Sequence, residues 1–188
     1  MDQHGLVERA RRGDRQAFAD LARASGARLD ATARLILRDP DLAQDAVQET
    51  LIRAWRGLPG LRDPGAFDHW LHSLVAHACI ELIRKRKRRV IEVELSPLDN
   101  PSTLDASAAI ADRDQLDRAL ARLQPEIRAV VVLYYYLDLP LARIADVLGV
   151  PVGTVKSRLH RSLGLMRSTM AVEAVANAPA AAIGGPVA

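Results

Sequence analysis

The segment from Leu141 to Arg161 limits the possible fold more than any other part of the sequence. Its apolar residues recur every three or four positions, the spacing that brings side chains to one face of an α-helix. Gly149-Val150-Pro151 interrupts the pattern, and a glycine can supply the left-handed backbone of a tight turn. Ala145 is small enough to let a second helix approach closely. The spacing therefore predicts a helix-turn-helix.

The second helix of this pair has one apolar and one polar face. The inward positions follow the apolar spacing and are Val152, Val155, Leu159, Leu163 and Met166. The outward positions carry basic, hydroxyl and imidazole groups and are Thr154, Lys156, Ser157, Arg158, His160 and Arg161. A helix fits the DNA major groove, where Arg and Lys can read guanine and Ser or Thr can contact bases or phosphates. This face indicates a DNA reader; an ordinary solvated basic face is the alternative.

The rest of the chain also favours helices. Aromatic residues make up only 4% of the sequence, whereas strands are usually rich in aromatic and β-branched residues. Asp14 is a plausible helix cap, and Asp39-Pro40 is typical of a helix start, with proline in the first helical position. The stripe that follows has apolar residues at helical spacing: Leu42, Ala43, Ala46, Val47, Leu51, Ala54 and Trp55. On the polar side of this helix, Ile52 is out of place and could centre a protein interface.

A longer helix is predicted to start near Phe67 and to run into the basic cluster Arg84–Arg89. Its expected buried face is Phe67, Trp70, Leu71, Leu74, Val75, Ala78 and Leu82. Its expected opposite face is His69, His72, Ser73, His77, Ile80 and Arg84. The basic cluster favours phosphate contact over a merely solvated helix end, and such contacts make binding strongly salt-dependent.

These patterns predict an all-α protein with two small helical domains. Residues 1–89 form the first domain and residues 112–170 the second, which begins with a stripe of Leu116, Ala119, Leu120 and Leu123. Residues 90–111 contain prolines, serines and acids, as is typical of a flexible linker. Residues 171–188 are mostly Ala, Gly and Pro, and we expect a disordered tail.

Several classes of protein are disfavoured by what the sequence contains. A single cysteine, Cys79, excludes an internal disulfide and a Cys-rich zinc site, and no cofactor is expected. The three histidines of the predicted long helix, His69, His72 and His77, are more typical of a solvated or DNA-facing surface than of a metal site. No catalytic motif stands out, so an enzyme is not expected. The start lacks the pattern of a signal peptide and no apolar run is long enough to span a membrane, which predicts a cytoplasmic protein without membrane insertion.

Two blocks of the sequence resemble, in the family's order, the extracytoplasmic-function sigma factors of bacterial RNA polymerase. Residues 149–161 read Gly-Val-Pro-Val-Gly-Thr-Val-Lys-Ser-Arg-Leu-His-Arg, as region four of that family commonly does. The matches to region two are Gly13-Asp14-Arg15-Gln16-Ala17-Phe18, Asp45-Ala46-Val47-Gln48-Glu49-Thr50 with Arg53-Ala54-Trp55, and Phe67 with Trp70-Leu71. The resemblance covers roughly residues 13–89 and 112–170.

The resemblance implies an alternative sigma factor that binds core polymerase, recognises promoter DNA and opens the minus-ten element. The residues implied to dock on the clamp of the largest polymerase subunit are Asp45, Gln48, Glu49, Ile52 and Arg53. Those implied at the minus-ten element are Arg62, Asp63, His69, His77, Arg84 and Lys85. The outward face of the last helix, from Thr154 to Arg161, would read the minus-thirty-five element. The family also implies contact with the polymerase flap and leaves open an anti-sigma factor as a further partner.

Two positions depart from the family's pattern. His77 stands where Asn is common, and Glu81 stands where Asp is common. Both are implied contact positions, so the resemblance does not define the preferred minus-ten sequence.

Two other functions remain as alternatives. A conventional helix-turn-helix repressor or activator would bind its operator without polymerase, and its first domain would sense a ligand or dimerise. An enzyme of the helical-bundle type would require a concave site with convergent titratable groups.

Overall fold

The computed structural model describes residues 2–92 and 111–176, which form eight α-helices and no strand. The helices are α1 (Gln3–Arg11), α2 (Arg15–Leu37), α3 (Pro40–Gly57), α4 (Phe67–Glu92), α5 (Ala111–Ala121), α6 (Pro125–Val131), α7 (Leu141–Leu148) and α8 (Val152–Ala176). The predicted all-α fold is confirmed for this part of the chain. Most of the predicted linker and the end of the predicted tail lie outside the described residues.

Aspartates start the first three helices. The carboxylates of Asp2, Asp14 and Asp39 each accept two backbone N–H groups from the first turn, which otherwise lack partners. The caps at Asp14 and Asp39 are as predicted. Arg38 takes a left-handed conformation (φ 55°) and ends α2, so that Pro40 can begin α3. The predicted boundary between these two helices is therefore confirmed.

Helices α1 to α4 form the first unit. Helix α2 packs against α1, α3 and α4, and α3 packs against α4. The large side chains at the centre of this unit are fully buried: Leu21, Leu29, Ile36, Leu58, Phe67, Leu71 and Val75. Two short 3₁₀ turns, Leu58–Gly60 and Pro64–Ala66, lead the chain from α3 into α4.

Helices α5 to α8 form the second unit, and α8 contacts α5, α6 and α7. A widened π-helical turn at Val132–Tyr136 follows α6. Gly149 has φ 61° and ends α7, and its N–H and that of Val150 bond to carbonyls of α7. The predicted turn is confirmed.

Two predicted core positions of the second unit are wrong. Val152 is 38% exposed because it is the first residue of α8, at the end of the helix beyond the turn. Leu116 is 43% exposed because α5 packs mainly against α8, which leaves part of its apolar face uncovered.

Helix α8 continues to Ala176 and so extends into the segment predicted to be a disordered tail. The residues added, from Ala171 to Ala176, contain neither glycine nor proline and are rich in alanine, the best helix former. The prediction gave more weight to the low charge of this segment than to its helix propensity.

The two units are in contact through several helices. Helix α4 packs against α6 and α7, and α2 packs against α6 and the π-helical turn. Arg128 is buried at this junction, where its Nε donates to the carbonyl oxygen of Ile36 (2.8 Å) and its guanidinium also donates to the carbonyl of Leu123 (3.3 Å). Burial lowers the pKa of Arg128 to about 10, which leaves it charged at neutral pH. Because α2 ends at Leu37, the Ile36 carbonyl has no partner within the helix, and Arg128 supplies one.

Replacing Arg128 with Met should lower the free energy of unfolding by about 2–4 kcal/mol, because two carbonyls at the junction lose their donor. Urea unfolding followed by circular dichroism measures this difference. Arg12→Met, at the exposed end of α1, removes the same charge and is the matched control. Equal midpoints for the two variants would show that Arg128 does not stabilise the junction.

Candidate nucleic-acid and protein interfaces

The outward face of α8 is exposed and basic. Lys156, Ser157, His160 and Arg161 are exposed, and Thr154 and Arg158 are half-buried. From Val152 to Arg167 the sequence contains no Asp or Glu, so no carboxylate of this segment opposes the basic groups. The side chain turned inward at this level is Val155, which is fully buried. All six residues of the predicted reading face thus lie on one side of the helix that follows the turn.

A second surface lies on α3. Asp45, Gln48 and Ile52 are exposed, and Glu49 and Arg53 are half-buried. Ile52 is 45% exposed, as expected for the apolar residue that is out of place on this side. These five residues line a groove of about 700 Å³ between α3 and α4. The α4 side of the groove carries basic residues and one acid: Glu81, Arg84, Lys85 and Arg88.

Arg53 joins the two walls of this groove. Its guanidinium donates to both carboxylate oxygens of Glu81 (2.8 and 2.7 Å), and its Nε donates to Glu49 (2.6 Å). The hydrogen bond with Arg53 holds the pKa of Glu81 below its usual value, and the two carboxylates raise the pKa of Arg53. No local sequence pattern predicts this pair, because the partners are 28 residues apart. Arg53 therefore fixes α3 against α4 and Glu81 is its partner.

Replacing Glu81 with Gln should cost a small, pH-dependent amount of stability. The pKa of Glu81 is lowered by folding, so its contribution is present above the unfolded pKa and is lost as the pH falls through the folded pKa. Since both side chains are partly exposed, the difference from the parent should stay within about 1 kcal/mol at pH 7 and shrink at an acidic pH below the lowered pKa of Glu81. Urea midpoints at the two pH values measure it, with Asp45→Asn as the control carboxylate. A difference that grows on acidification would contradict the pairing.

The residues predicted at the minus-ten element lie in the turn before α4 and along α4 itself. Arg62, Asp63, His69 and Lys85 are exposed. Asp63 also accepts the N–H of Gly65 (2.8 Å) and caps the short turn that precedes α4. These contacts hold the loop in front of α4 in a defined conformation.

The middle of α4 differs from the prediction. Ser73 and Ile80, expected on the outer face, are only 4% and 3% exposed, and His72 is buried as well. For Ser73 and Ile80 the reason is packing by α7 of the second unit, which lies against α4 and whose Arg143 donates to Ser73 Oγ (3.2 Å). His77 is half-buried there, and burial lowers its pKa. His72 lies on another side of α4, next to Leu21 and Arg28 of α2.

Arg84 is likewise engaged by the second unit. Its guanidinium donates to the carbonyl oxygen of Leu148 at the end of α7, beside the Gly149 turn. Of the predicted minus-ten set, five residues are therefore exposed, among them Arg84, which also bonds to α7, and only His77 is half-buried.

Cys79 lies on the inner side of α4. It is fully buried, and burial raises the pKa of its thiol to about 12. Within the residues that the structure describes, no group of three or more His, Cys, Asp or Glu could hold a metal ion. None of the helices described has an apolar stretch long enough to cross a membrane.

Both units match known families. Residues 10–89 match the family described as Sigma-70 region 2, and residues 113–166 match Sigma-70, region 4. The chain is 36% identical over 151 residues to the ECF RNA polymerase sigma factor SigM of Mycobacterium tuberculosis. The aligned region covers 80% of this chain and 75% of SigM. It is 26% identical over 176 residues to the ECF RNA polymerase sigma factor SigW of Bacillus subtilis, across 87% and 94% of the two chains.

Solved structures share the fold. The sigma factor RpoE of Bartonella quintana, crystallised with the anti-sigma factor NepR, superposes with a TM-score of 0.67 at 23% identity, over 83% of this chain and 98% of the other. CnrH, solved with the cytosolic domain of CnrY, gives a TM-score of 0.56 at 23% identity, over 93% and 98%.

Proposed function

The chain belongs to the extracytoplasmic-function sigma factors of RNA polymerase. We propose that its first unit binds core polymerase and the minus-ten element, and that its second unit binds the minus-thirty-five element. As an alternative sigma factor it is a promoter-recognising subunit of RNA polymerase, with core polymerase and promoter DNA as its partners. The proposal concerns the assignment of surfaces. The observation that carries it is the left-handed turn at Gly149 followed by the exposed, acid-free face of α8.

The first unit, residues 1–89, binds core polymerase through α3. The clamp of the largest subunit would cover Asp45, Gln48, Glu49 and Ile52, while Arg53 holds their helix against α4. The support is chemical: an exposed isoleucine beside a groove of about 700 Å³ offers an apolar centre with a polar rim.

The loop before α4 and the α4 helix open the minus-ten element. The proposed contacts are Arg62, Asp63, His69, His77, Arg84 and Lys85. The exposed basic end of α4 would hold phosphates while a base turns out of the stack, at a cost of a few kcal/mol.

The second unit, residues 112–170, reads the minus-thirty-five element as duplex through α8. Its contacts would be the six residues of the reading face, Thr154, Lys156, Ser157, Arg158, His160 and Arg161, with basic side chains placed to reach base edges or phosphates. The polymerase flap is its proposed protein partner. An anti-sigma factor is a further proposed partner, since RpoE and its anti-sigma factor NepR form such a complex. We propose that the protein acts in the cytoplasm and catalyses no reaction of its own.

Run-off transcription with core polymerase, with and without this protein, tests the assignment as a sigma factor. Templates are taken from genes whose transcripts rise when the protein is overproduced. Defined transcripts should appear with the holoenzyme, and the protein alone should show no specific duplex binding. Tight operator binding without polymerase, together with no promoter-dependent transcript, would instead favour a conventional repressor or activator.

A further inference from the structure

Helix α1 lies against the loop that leads into α4. Residues 3–9 of this helix come before the part of the chain that matches Sigma-70 region 2. The loop, residues 58–66, consists of the two 3₁₀ turns and the residues between them. Helix α3 contacts the first turn and α4 contacts the second, each where the chain continues, whereas α1 contacts both turns. Helix α1 therefore supports the loop from a distant part of the chain.

The inner side of the loop is apolar and buried. Leu58 is fully buried and belongs to the same continuous cluster as Val7 and Ala10 of α1. Leu61 of the loop and Leu6 of α1 are partly buried against this cluster. The loop residues that are proposed to meet DNA are exposed. Packing against α1 thus holds the loop by one side and leaves its DNA-facing residues accessible.

Hydrogen bonds within the loop fix the shape of each turn. The N–H of Leu61 bonds to the carbonyl oxygen of Leu58 (3.1 Å), and the N–H of Ala66 bonds to that of Asp63 (3.1 Å). Each of these bonds stays inside one turn, so neither sets the position of the loop against the helices. That position depends on the packing against α1, α3 and α4.

A hydrogen bond joins the start of α1 to the start of α4. Gln3 Nε2 donates to Asp68 Oδ1 (2.7 Å), and Asp68 lies in the first turn of α4. Asp2 accepts two N–H groups from the first turn of α1, so the helix is capped immediately before Gln3. Near its other end α1 is held by Arg9, which pairs with Asp14 at the start of α2 (2.7 Å). Helix α1 is therefore fixed at both ends.

The residues proposed to capture a minus-ten base lie on two elements that α1 contacts. Arg62 and Asp63 lie on the loop, and His69 lies on the first turn of α4. A base held outside the stack needs both elements in a fixed relation, because any ordering left until capture adds to the cost of unstacking. Helix α1 contacts the loop by packing and the first turn of α4 through Gln3.

We propose that α1 positions the loop before α4 for base capture, and that Gln3 is a positioning residue that holds the first turn of α4 beside this loop. The inference rests on the proposed function of the loop and of α4. It extends that function to α1, a helix that carries none of the proposed DNA or polymerase contacts.

The rate of promoter opening tests the role of Gln3. The holoenzyme is mixed with a promoter duplex that carries 2-aminopurine in the minus-ten element, whose fluorescence rises when the base leaves the stack. Gln3→Ala should slow opening about three- to fivefold, because one exposed hydrogen bond to a charged group is lost. Gln16→Ala is the matched control and should leave the rate unchanged, since Gln16 is an exposed amide that donates within α2, to Asp20 (3.3 Å).

Exchanging the donor and the acceptor separates positioning from other effects. Gln3→Glu places two carboxylates side by side and should slow opening at least as much as Gln3→Ala. Adding Asp68→Asn to Gln3→Glu restores one donor and one acceptor with the net charge unchanged, and should return the rate to within about twofold of the parent. Affinity for core polymerase, minus-thirty-five discrimination and the urea midpoint should stay at the parent's values in these variants, whereas a general loss of structure would lower them together.

Hydrogen exchange in the free protein follows the loop without a promoter. The N–H groups of Leu61 and Ala66 close the two turns, and they should exchange about threefold faster in Gln3→Ala than in the parent or in Gln16→Ala. An opening rate equal to that of Gln16→Ala, or a defect of Gln3→Glu that Asp68→Asn does not correct, would overturn the proposal. If the parent holoenzyme opens no promoter, the proposed function fails, and the exchange rates alone decide whether α1 positions the loop.

Discussion

Replacing Ile52 and Glu49 together by alanine is expected to weaken binding to core RNA polymerase by about 30- to 100-fold, the loss of roughly 2–3 kcal/mol typical of a residue at the centre of an interface. Ile52 provides the effect because it is a large apolar side chain, 45% exposed, among polar neighbours on α3. Burying it under the clamp would remove apolar surface from water. Binding measured by fluorescence anisotropy of the labelled protein against core enzyme gives the change.

The fold should tolerate both changes. Ile52 is exposed, and when Glu49 is removed Arg53 keeps its two hydrogen bonds to Glu81. The free energy of unfolding should therefore stay within about 1 kcal/mol of the parent. Leu116→Ala is a matched control, since Leu116 is 43% exposed but lies in the second unit, away from α3. Loss of folding in the double variant, or equal loss of polymerase binding in the control, would show that α3 does not present the polymerase surface.

The second large effect is expected from Lys156→Ala combined with Arg161→Ala. If these side chains read bases, the holoenzyme should lose discrimination between a promoter and its minus-thirty-five mutants by about 1–3 kcal/mol per lost contact. Transcription from paired templates, with and without the upstream mutation, measures the discrimination. The salt dependence of binding separates the two kinds of contact, since each lost phosphate contact lowers the slope by about one.

Arg167→Ala is the control for charge, because Arg167 is exposed on the same helix outside the proposed reading face. It should leave discrimination intact. An equal fall in activity on every template after changing Lys156 and Arg161 would show phosphate anchoring without base reading.

Local chemistry made much of the fold predictable. A carboxylate ahead of an apolar stripe marked the starts of α2 and α3 at Asp14 and Asp39, because either can satisfy two N–H groups of the first turn. Gly149 marked the turn because a left-handed backbone there suits glycine best. Helix α1 was missed, although Asp2 ahead of Val7 and Ala10 is a shorter form of the same signal.

Contacts between segments far apart in the chain could not be predicted from the sequence. Ile80 was expected outside because helical spacing alone cannot show that a second surface, α7, packs on the same helix. The pairing of Arg53 with Glu81 and the burial of Arg128 depend on partners 28 and 92 residues away. The residues of α3 and α8 could be predicted because their exposure follows from one helix at a time, whereas the state of His77 and Arg84 could not.

Four arginine bonds between the two units end on backbone carbonyls, those of Ile36, Asp117, Tyr136 and Leu148, whereas Arg143 donates to a side chain, that of Ser73. Every residue type provides a carbonyl, so the acceptor positions can change their side chains in evolution without losing these bonds. The donor positions have no such freedom, because only arginine offers five N–H groups on so long a side chain. We therefore expect these few arginines to be retained in evolution. Either unit could then diverge, or be exchanged for a homologous one, as long as those arginines and the backbone path are kept.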